Sequence, residues 1–489
     1  MTRIHPRARR GLAAAAAAAA AVAFAALATT ASPAAGADRD ARVVTMTPEL
    51  TAKIQHHIET FRAKYDISGM SMAVVTPDPD DPGGPTPVVT TFAVGTPNVG
   101  SPTPVDASTQ FEIASETKIF TSDLLAHLVA SGTVALDDPV QKYAPAGIAV
   151  PVWTDPQSGE TTRITLRDLA THQAGLPDMP GNFEAGCGGD PDCVNPHPGY
   201  TQTMLWDALA AQSLLWKPGT DWLYSNWGFG LLGTILSDVV DPSVPIDEPP
   251  AFQPALESTF LDALGMSSTM LGTGPSIATP YTSGNTPTYY WEDVNALAGE
   301  GGLVSDATDM GAFVAAHLGY LSDTAPPGVR TMADTLEPVS AITTECFTPT
   351  QCQPSAFHMG LGWQLYPASA SNMGVDWAFK NGGTAGFSSD TTLAPSKGVG
   401  VTTMWNQNRV DDAEPAIELL TLILAETPDA GLGHDAGHDR GHSEGDSARL
   451  ADTGSSAFSL TGAAVGAAIL LGAGVVLRTR RREADDADE

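Results

Sequence analysis

Strand-like segments on both sides of a helical middle restrict the fold of this chain more than any other feature of its sequence. The runs GMSMAVVTP and PVVTTFAVG, within residues 69–95, flank the turn DPDDPGGP and predict a β-hairpin. Helical patterns follow at about 115–131, 203–216 and 228–240. Four more strand-like runs then precede a helix at 414–426: GLGWQLYP, DWAFKNGG, FSSDTTLAP and GVGVTTMWN. This order predicts an α+β fold.

The first 37 residues have the composition of a secretory signal. Four arginines lie within residues 1–10, an alanine-rich run occupies 12–28, and AGA at 35–37 offers the small residues that a signal peptidase reads. We therefore expect export, with cleavage after Ala37. The pair Arg9-Arg10 leaves the twin-arginine route open beside the general one. A membrane-spanning N-terminal helix is the weaker alternative, because alanine alone has little affinity for a bilayer.

A second targeting signal is predicted at the C-terminus, in residues 450–489. LADTG (450–454) precedes an apolar run at 457–477, long enough to cross a bilayer at about 1.5 Å per residue, and RTRRR follows it. The arginines would hold the tail on the cytoplasmic side. This order resembles a sortase sorting signal of the LAxTG type. The resemblance implies cleavage between Thr453 and Gly454 and attachment to the cell wall; an uncleaved transmembrane anchor is the alternative.

Between these signals lie a body, residues 38–427, and a polar, glycine-rich linker, residues 428–449. The body is large for one domain, so an inserted subdomain is expected. Histidines recur in the linker every four residues, a spacing that would align them on one face of a helix. The repeated glycines disfavour a helix. We therefore interpret the segment with His434, His438 and His442 as a solvated spacer and not as a metal site.

Composition excludes some partners and predicts two crosslinks. The 489-residue chain has a formal net charge of −32, which disfavours nucleic acid and anionic surfaces as partners. Its four cysteines form two pairs, each enclosing five residues: Cys187 with Cys193, and Cys346 with Cys352. In an exported protein this spacing predicts two local disulfides. A zinc site built from cysteine would need tighter clustering or histidine partners, and is not expected.

Ser115 and Lys118 lie three residues apart in FEIASETKIFTS, at the start of a predicted helix. At this spacing their side chains share a helix face. A lysine made neutral by burial can remove the proton from a serine hydroxyl, and a helix N-terminus stabilises developing negative charge. The pair therefore suggests a nucleophile and its base, although the same spacing also occurs on solvated helix faces. The chain has only seven lysines, which adds weight to this placement.

Two further segments carry residues that suit the same chemistry. In YSNWGFGLLG, Tyr224 and Asn226 precede an apolar helix. A phenol between two cations can be held as phenolate or can pass a proton, and the amide can bond both a lysine and a substrate. In KNGGTAGFSS, Lys380 can attract a substrate carboxylate. The glycines after it allow a backbone N–H to face an oxyanion.

In this order the three motifs, S-x-x-K, Y-x-N and K-x-G, resemble the serine β-lactamase and penicillin-binding protein family, in the branch of class C β-lactamases and D-alanyl-D-alanine carboxypeptidases. The resemblance extends over about 48–426, where LVASGTVALDDPVQKYAP, ITLRDLATHQAGLP and GEGGLVSDATDMGAFV are similar to the family's connecting segments. It implies an antiparallel sheet flanked by helices, an inserted mainly helical domain and a site between them. It implies no cofactor and no metal.

The resemblance also implies a role for each matching residue. Ser115 would be acylated, with Lys118 as its base. Tyr224 would pass the proton to the leaving group, and Asn226 would orient Lys118 and the substrate. The substrate carboxylate would be bound by Lys380 and Thr384. The oxyanion would be bound by the backbone N–H groups of Ser115 and Gly383.

Other polar and aromatic residues near the motifs are expected to be structural. His172 in THQAGLP and Glu300 in GEGG are interpreted as loop residues, although a carboxylate near the site could matter. Glu116 should point away from the Ser115 face. Trp222 and Trp227, which flank the tyrosine motif, are expected to pack in the core.

The sequence thus predicts an exported, wall-anchored serine hydrolase that acts through an acyl-enzyme. Its expected substrate is a peptidoglycan stem peptide ending in D-Ala-D-Ala, and penicillins should acylate it. Asn381 gives the third motif as Lys-Asn-Gly, which resembles carboxypeptidase and esterase members more than dedicated β-lactamases. A β-lactamase and a small-ester hydrolase are the alternatives within the family, and a non-catalytic binding module is the alternative outside it. Sortase, the cell wall and, before processing, the membrane are the expected partners.

Overall fold

A seven-stranded antiparallel sheet is the largest sheet in the part of the chain that the computed structural model describes, residues 44–370, 373–408 and 413–426. Its strands lie side by side in the order β3-β4-β5-β6-β7-β1-β2. In chain order these strands are β1 (Gly69–Pro77), β2 (Pro87–Gly95), β3 (His358–Met359), β4 (Gln364–Tyr366), β5 (Trp377–Gly383), β6 (Ser388–Ala394) and β7 (Val399–Trp405).

The sheet confirms the predicted strands and joins those from the two ends of the body. The hairpin of β1 and β2 pairs in register from Gly69 opposite Gly95 to Pro77 opposite Pro87. On its other side β1 pairs with β7, with Met70 opposite Trp405. Every residue of β1 is buried, because the strand has neighbours on both edges and helices on both faces. The predicted signal peptide, linker and sorting signal lie outside the described residues.

Helices cover both faces of the sheet. Two helices from opposite ends of the body, α1 and α11, contact one another and one face, and α9 packs on the other. The helices are α1 (Pro48–Lys64), α2 (Thr117–Ala130), α3 (Leu166–Ala170), α4 (Gln202–Ala211), α5 (Asn226–Val240), α6 (Phe252–Leu256), α7 (Asp262–Leu264), α8 (Ala298–Gly301), α9 (Ala307–His317), α10 (Pro327–Arg330) and α11 (Pro415–Ala425).

The first helix illustrates how the sequence specifies these elements. The Thr47 side chain accepts a hydrogen bond from the backbone N–H of Leu50 at 3.1 Å and caps α1. The spacing of the apolar residues puts them on one face, and burial of that face against the sheet stabilises the helix. That buried face consists of Leu50, Ile54, Ile58 and Phe61.

The segments between β2 and β3 form a mainly helical region with short strands. It contains α2 to α10, and α2, α5 and α8 pack against one another. The predicted helix at 203–216 is α4, which ends at Ala211 because Gln212 adopts extended backbone angles. The short strands outside the main sheet are Phe111–Glu112, Val152–Thr154, Thr161–Arg163, Trp222–Leu223, Met270–Leu271, Tyr281–Thr282, Thr286–Pro287, Leu303–Ser305, Thr344–Thr348 and Gln351–Pro354.

Both predicted disulfides are present, Cys187–Cys193 and Cys346–Cys352. The first lies in the loop at 178–202, beside two short 3₁₀ turns at Phe183–Cys187 and His197–Gly199. The second links the two strands of a hairpin. Among the helices of the described residues, none is both long and apolar enough to cross a membrane.

Candidate active site

Ser115 lies on a 3₁₀ turn, Ala114–Glu116, that leads directly into α2. The preceding residue, Ala114, has a φ of 49°, in the left-handed region that alanine rarely adopts. Strand β5 runs so close to this turn that a Cβ added at Gly382 would lie 2.2 Å from the carbonyl oxygen of Ile113. Glycine is therefore required at this position, and it lets the edge of the sheet approach the serine.

Lys118, the second residue of α2, is fully buried, and its ammonium group is held by four contacts. Its Nζ donates to the Ser115 hydroxyl at 3.0 Å and to the Asn226 amide oxygen at 2.7 Å. It also donates to the backbone carbonyl of Glu300 at 2.6 Å and lies 3.3 Å from the carboxylate oxygen Oε2 of the same residue. The structure thus brings together the predicted residues Ser115, Lys118 and Asn226.

The charge state of Lys118 differs from the expectation that burial makes it neutral. Burial does lower the pKa of Lys118, but the nearby Tyr224 hydroxyl and Glu300 carboxylate raise it by more, so the pKa lies above the ordinary lysine value. Burial raises the pKa of Glu300, but Lys118 and His197 lower it by more, so the pKa lies below the ordinary glutamate value. The two residues therefore form a buried ion pair, and the resting lysine carries its proton.

Tyr224 lies between two ammonium groups. The Nζ atom of Lys118 is 4.9 Å from the centre of its ring, and that of Lys380 is 5.5 Å away on β5. Burial raises the pKa of Tyr224, while Lys118 and the Ser115 hydroxyl lower it, and the balance is above the ordinary tyrosine value. The sequence left open whether Tyr224 is a phenolate or a neutral phenol, and this balance favours the neutral phenol.

His172 holds the tyrosine segment in place. Its Nδ1 accepts a hydrogen bond from the backbone N–H of Ser225 at 3.1 Å, and its ring lies 4.5 Å from that of Tyr224. Burial holds the pKa of His172 well below its ordinary value, so the imidazole is neutral. It contacts the tyrosine ring and the segment that begins α5, which agrees with a structural role.

The remaining predicted residues lie at the end of β5. Gly383 is its last residue and pairs with Ser388. Thr384 follows, and its hydroxyl accepts from the backbone N–H of Phe387 at 3.1 Å. Thr384 also lowers the pKa of Glu112, although burial is the larger effect and raises that pKa to about 7. Thr384 is therefore connected to a buried carboxyl group on the strand before Ser115.

Three residues expected to be structural are buried: Glu116, Trp222 and Trp227. The Glu116 carboxylate accepts from the Thr391 hydroxyl at 2.8 Å, and burial raises its pKa to about 8. Trp222 and Trp227 are 2% and 0% exposed and belong to the core.

Glu300 is the main site residue whose role was not predicted from the sequence. It lies in α8, fully buried, with its backbone and side chain both on Lys118. One sequence signal could have indicated this role. Glu300 lies between glycines in GEGGLVS, and an acidic side chain beside an apolar strand needs a buried partner. Among the described residues, Glu300 also belongs to a histidine–carboxylate group with the spacing of metal ligands, together with His197 and Asp293.

A serine hydroxyl that is hydrogen-bonded to a buried lysine, beside an antiparallel sheet flanked by helices, is the arrangement of a serine hydrolase. The family model described as Beta-lactamase matches residues 54–425. The chain belongs to the β-lactamase family.

Relatives with curated names include both carboxypeptidases and β-lactamases. The chain is 29% identical over 292 residues to the D-alanyl-D-alanine-carboxypeptidase/endopeptidase AmpH of Escherichia coli (strain K12), covering 59% of this chain and 68% of the relative. It is 25% identical over 378 residues to a β-lactamase of Pseudomonas fluorescens, covering 72% and 92%.

Solved structures share the fold. A β-lactamase/D-alanine carboxypeptidase from Yersinia pestis superimposes with a TM-score of 0.57 at 22% identity, covering 77% of this chain and 99% of the other. A class C β-lactamase from Rhodobacter sphaeroides gives 0.56 at 24% identity, covering 76% and 98%. These similarities confirm the predicted fold class.

Proposed function

We propose that this protein is a D-alanyl-D-alanine carboxypeptidase that acts on peptidoglycan stem peptides from the cell wall and is acylated by penicillins. The observation that carries the proposal is the 3.0 Å contact between the Ser115 hydroxyl and the buried Lys118 ammonium, with Tyr224 beside both. This arrangement supplies a nucleophile and a route for its proton within one set of contacts.

In the proposed acylation, Ser115 Oγ forms a bond to the carbonyl carbon of the penultimate D-alanine. The bond from that carbon to the terminal nitrogen breaks, and D-alanine leaves as an amine. Lys118 and Tyr224 both carry protons at rest, so Tyr224 gives its proton to the leaving nitrogen and the proton of the Ser115 hydroxyl replaces it. Water then adds to the acyl carbon, the bond from that carbon to Ser115 Oγ breaks, and a proton of the water passes to Oγ, which restores the hydroxyl and releases the shortened peptide as a carboxylic acid.

The substrate's terminal carboxylate gives the proposal its specificity. Lys380 is 4% exposed and its ammonium group lies beside Tyr224, on the strand that borders the Ser115 turn. A buried ammonium at that distance would attract a free carboxylate next to the scissile bond. Backbone N–H groups of Ser115 and Gly383 are proposed to bind the oxyanion, and Thr384 to support the carboxylate site.

The relatives and the predicted targeting signals support this choice of substrate. The curated name of the E. coli relative AmpH includes D-alanyl-D-alanine-carboxypeptidase. A signal peptide at 1–37 and the sorting signal LADTG at 450–454 would place the enzyme beside the cell wall, attached through Thr453 after cleavage before Gly454. Two disulfides agree with an oxidising compartment.

The test measures D-alanine release from a diacyl-lysyl-D-Ala-D-Ala peptide by the purified full-length protein. Ser115→Ala removes the nucleophile, and Ser131→Ala, just beyond the other end of α2, is the matched control. We expect release by the parent and the control and none by Ser115→Ala. A fluorescent penicillin should label the parent and the control but not Ser115→Ala.

Other results would identify the protein as one of the alternatives. No D-alanine release together with rapid hydrolysis of a chromogenic cephalosporin would make the protein a β-lactamase. Hydrolysis of short-chain aryl esters alone would make it an esterase. An unreactive Ser115 toward all of these probes would indicate a binding module.

A further inference from the structure

A buried group of one histidine and two carboxylates lies behind Lys118. His197 comes from the disulfide-containing loop at 178–202, Asp293 from the segment before α8, and Glu300 from α8 itself. Each offers one ligand atom, and these atoms lie within 4.8 Å of one another. Asp293 and Glu300 are 0% exposed and His197 is 4% exposed. Three separate segments thus converge on one point that has almost no contact with solvent.

Several of the facing atoms have no hydrogen bond to the described part of the chain. Four buried atoms have no hydrogen-bond partner among the described residues: His197 Nε2, Glu300 Oε1, and Oδ1 and Oδ2 of Asp293. A buried polar atom without a partner costs about 1–3 kcal/mol, and more when it is charged. A positive charge between the four converging atoms would remove this cost.

The second nitrogen of His197 supports this reading. Its Nδ1 lies 2.9 Å from the Asn195 side-chain oxygen. The Asn195 amide nitrogen donates to the backbone carbonyl of Trp291 at 2.6 Å, which fixes the oxygen toward the histidine. Nδ1 must then carry the proton, and in a neutral imidazole Nε2 presents a lone pair to the carboxylates. A metal-binding histidine is oriented in this way by a partner on its other nitrogen.

We propose that His197, Asp293 and Glu300 bind a divalent metal ion of the zinc class. His197 Nε2 and Glu300 Oε1 are 3.4 Å apart. Bonds of about 2.0–2.2 Å to zinc put neighbouring ligand atoms of a tetrahedral site about 3.3–3.6 Å apart. One imidazole and two carboxylates suit zinc better than calcium or magnesium, which prefer oxygen ligands alone. The fourth ligand would be the other Asp293 oxygen or a water molecule.

The metal would act as a clamp and not as a reactant. It would join the loop at 178–202 to α8, and it would fix the far side of Glu300 while Oε2 stays on Lys118. A metal site was not predictable from the sequence, because these ligands lie in distant segments and form no spacing motif. The proposal does not depend on the substrate, since metal content is measured without any enzyme assay.

The test measures zinc bound to the full-length protein. The linker histidines would also bind zinc, so every sample carries His434→Ala, His438→Ala and His442→Ala. Metal content is determined by mass spectrometry on the purified protein. A chelator-treated sample is then titrated with Zn²⁺, and in parallel with Ca²⁺, by equilibrium dialysis, and Tm is followed with each ion.

Two variants remove ligands, and one leaves the site intact. His197→Gln and the isosteric Asp293→Asn alter the site. His317→Gln is the matched control, because His317 is also buried and lies 3.1 Å from a carboxylate, that of Asp123, elsewhere in the fold. Circular dichroism verifies that each variant is folded. If His197→Gln does not fold, Asp293→Asn still tests the site.

We expect about one zinc ion per parent chain, a higher Tm with Zn²⁺ than with Ca²⁺, and the same behaviour for His317→Gln. His197→Gln and Asp293→Asn should lose the stoichiometric ion and the zinc-dependent rise in Tm. Asn195→Ala should weaken zinc binding by about 10–100-fold. Absence of zinc binding by the parent would overturn the proposal and assign a protonated His197 or a water to the site. Stoichiometric zinc that survives both ligand variants would also overturn it.

Discussion

Lys118 and Glu300 form an ion pair in which neither side chain has any exposure to solvent, with Nζ 3.3 Å from Oε2. Water does not compensate either charge, so each depends on the other. The pair therefore links the stability of the core to the residue that contacts the nucleophile.

Breaking this pair should destabilise the protein strongly. Glu300→Gln leaves the buried ammonium without its carboxylate, and we expect a loss of about 3–5 kcal/mol in the free energy of unfolding. Asp137→Asn is the control, because it breaks the exposed pair with Arg167, in which N and O are 3.0 Å apart, and should cost about 1 kcal/mol or less. Urea denaturation measures both. Equal losses in the two variants would show that Lys118 does not depend on Glu300.

The Tyr224 hydroxyl should matter for turnover and little for folding. Tyr224→Phe keeps the ring beside His172 and removes the group that passes the proton, so we expect kcat for D-alanine release to fall about 10²–10⁴-fold. Tyr320→Phe also removes a buried hydroxyl, which donates to the Gly398 carbonyl at 2.8 Å in the turn between β6 and β7. It should retain kcat. Steady-state kinetics on both variants distinguishes the roles, and an unchanged kcat in Tyr224→Phe would exclude the proposed proton route.

The close approach of β5 to the Ser115 turn should not tolerate a methyl group. In Gly382→Ala the new Cβ would be 2.2 Å from the Ile113 carbonyl oxygen, so the strand or the turn must move. We expect a loss of about 1–3 kcal/mol in stability together with reduced penicillin labelling. Gly181→Ala is the control, because a Cβ there meets no atom within 4 Å. Normal labelling of Gly382→Ala would show that the turn does not depend on this contact.

Glu116 should make stability fall as the pH rises. Burial raises its pKa from 4.5 to about 8 in the folded protein. Between these values the folded state holds a proton that the unfolded state has released, so its contribution is complete below pH 4.5 and is lost as the pH rises to about 8.

Glu116→Gln tests this dependence, because the amide stays neutral and its oxygen can still accept from Thr391. We expect the free energy of unfolding of the variant, relative to the parent and measured by urea denaturation, to be higher at pH 8.5 than at pH 5, by a difference on the order of a few kcal/mol. Glu160→Gln, at an exposed position, should show no such difference. A parent and Glu116→Gln variant with parallel pH profiles would contradict the prediction.

The sequence predicted the sheet and the three motifs because both are local patterns. Apolar runs bounded by turn residues define strands such as β1 and β2, and the motif spacing identifies Ser115, Lys118, Tyr224 and Lys380. The protonation of Lys118 was not predictable in this way. It depends on whether burial or nearby groups dominate, and Glu300, the carboxylate among them, comes from a segment far away in the chain.

Other features of the site depend on three-dimensional packing alone. The left-handed φ of Ala114 has no sequence signal, since alanine does not favour that conformation. The convergence of His197 and Asp293 on Glu300 requires the path of the loop at 178–202, which local patterns do not give. The early end of α4 at Ala211 was likewise missed, because the apolar residues after it continue a helical pattern while the backbone leaves the helix.

The pairing of β1 with β7 has a consequence for how the protein reaches its folded state. Strand β1 is made early, and its neighbour β7 is among the last segments of the body to be synthesised. Until β7 arrives, one edge of β1 carries unpaired backbone groups on a strand whose residues are all buried in the folded protein, and such an edge is a template for aggregation. Contacts this distant in sequence also slow folding. A chain truncated before Val399 would therefore be prone to self-association, and a newly made chain would depend on protection until its last strand is in place.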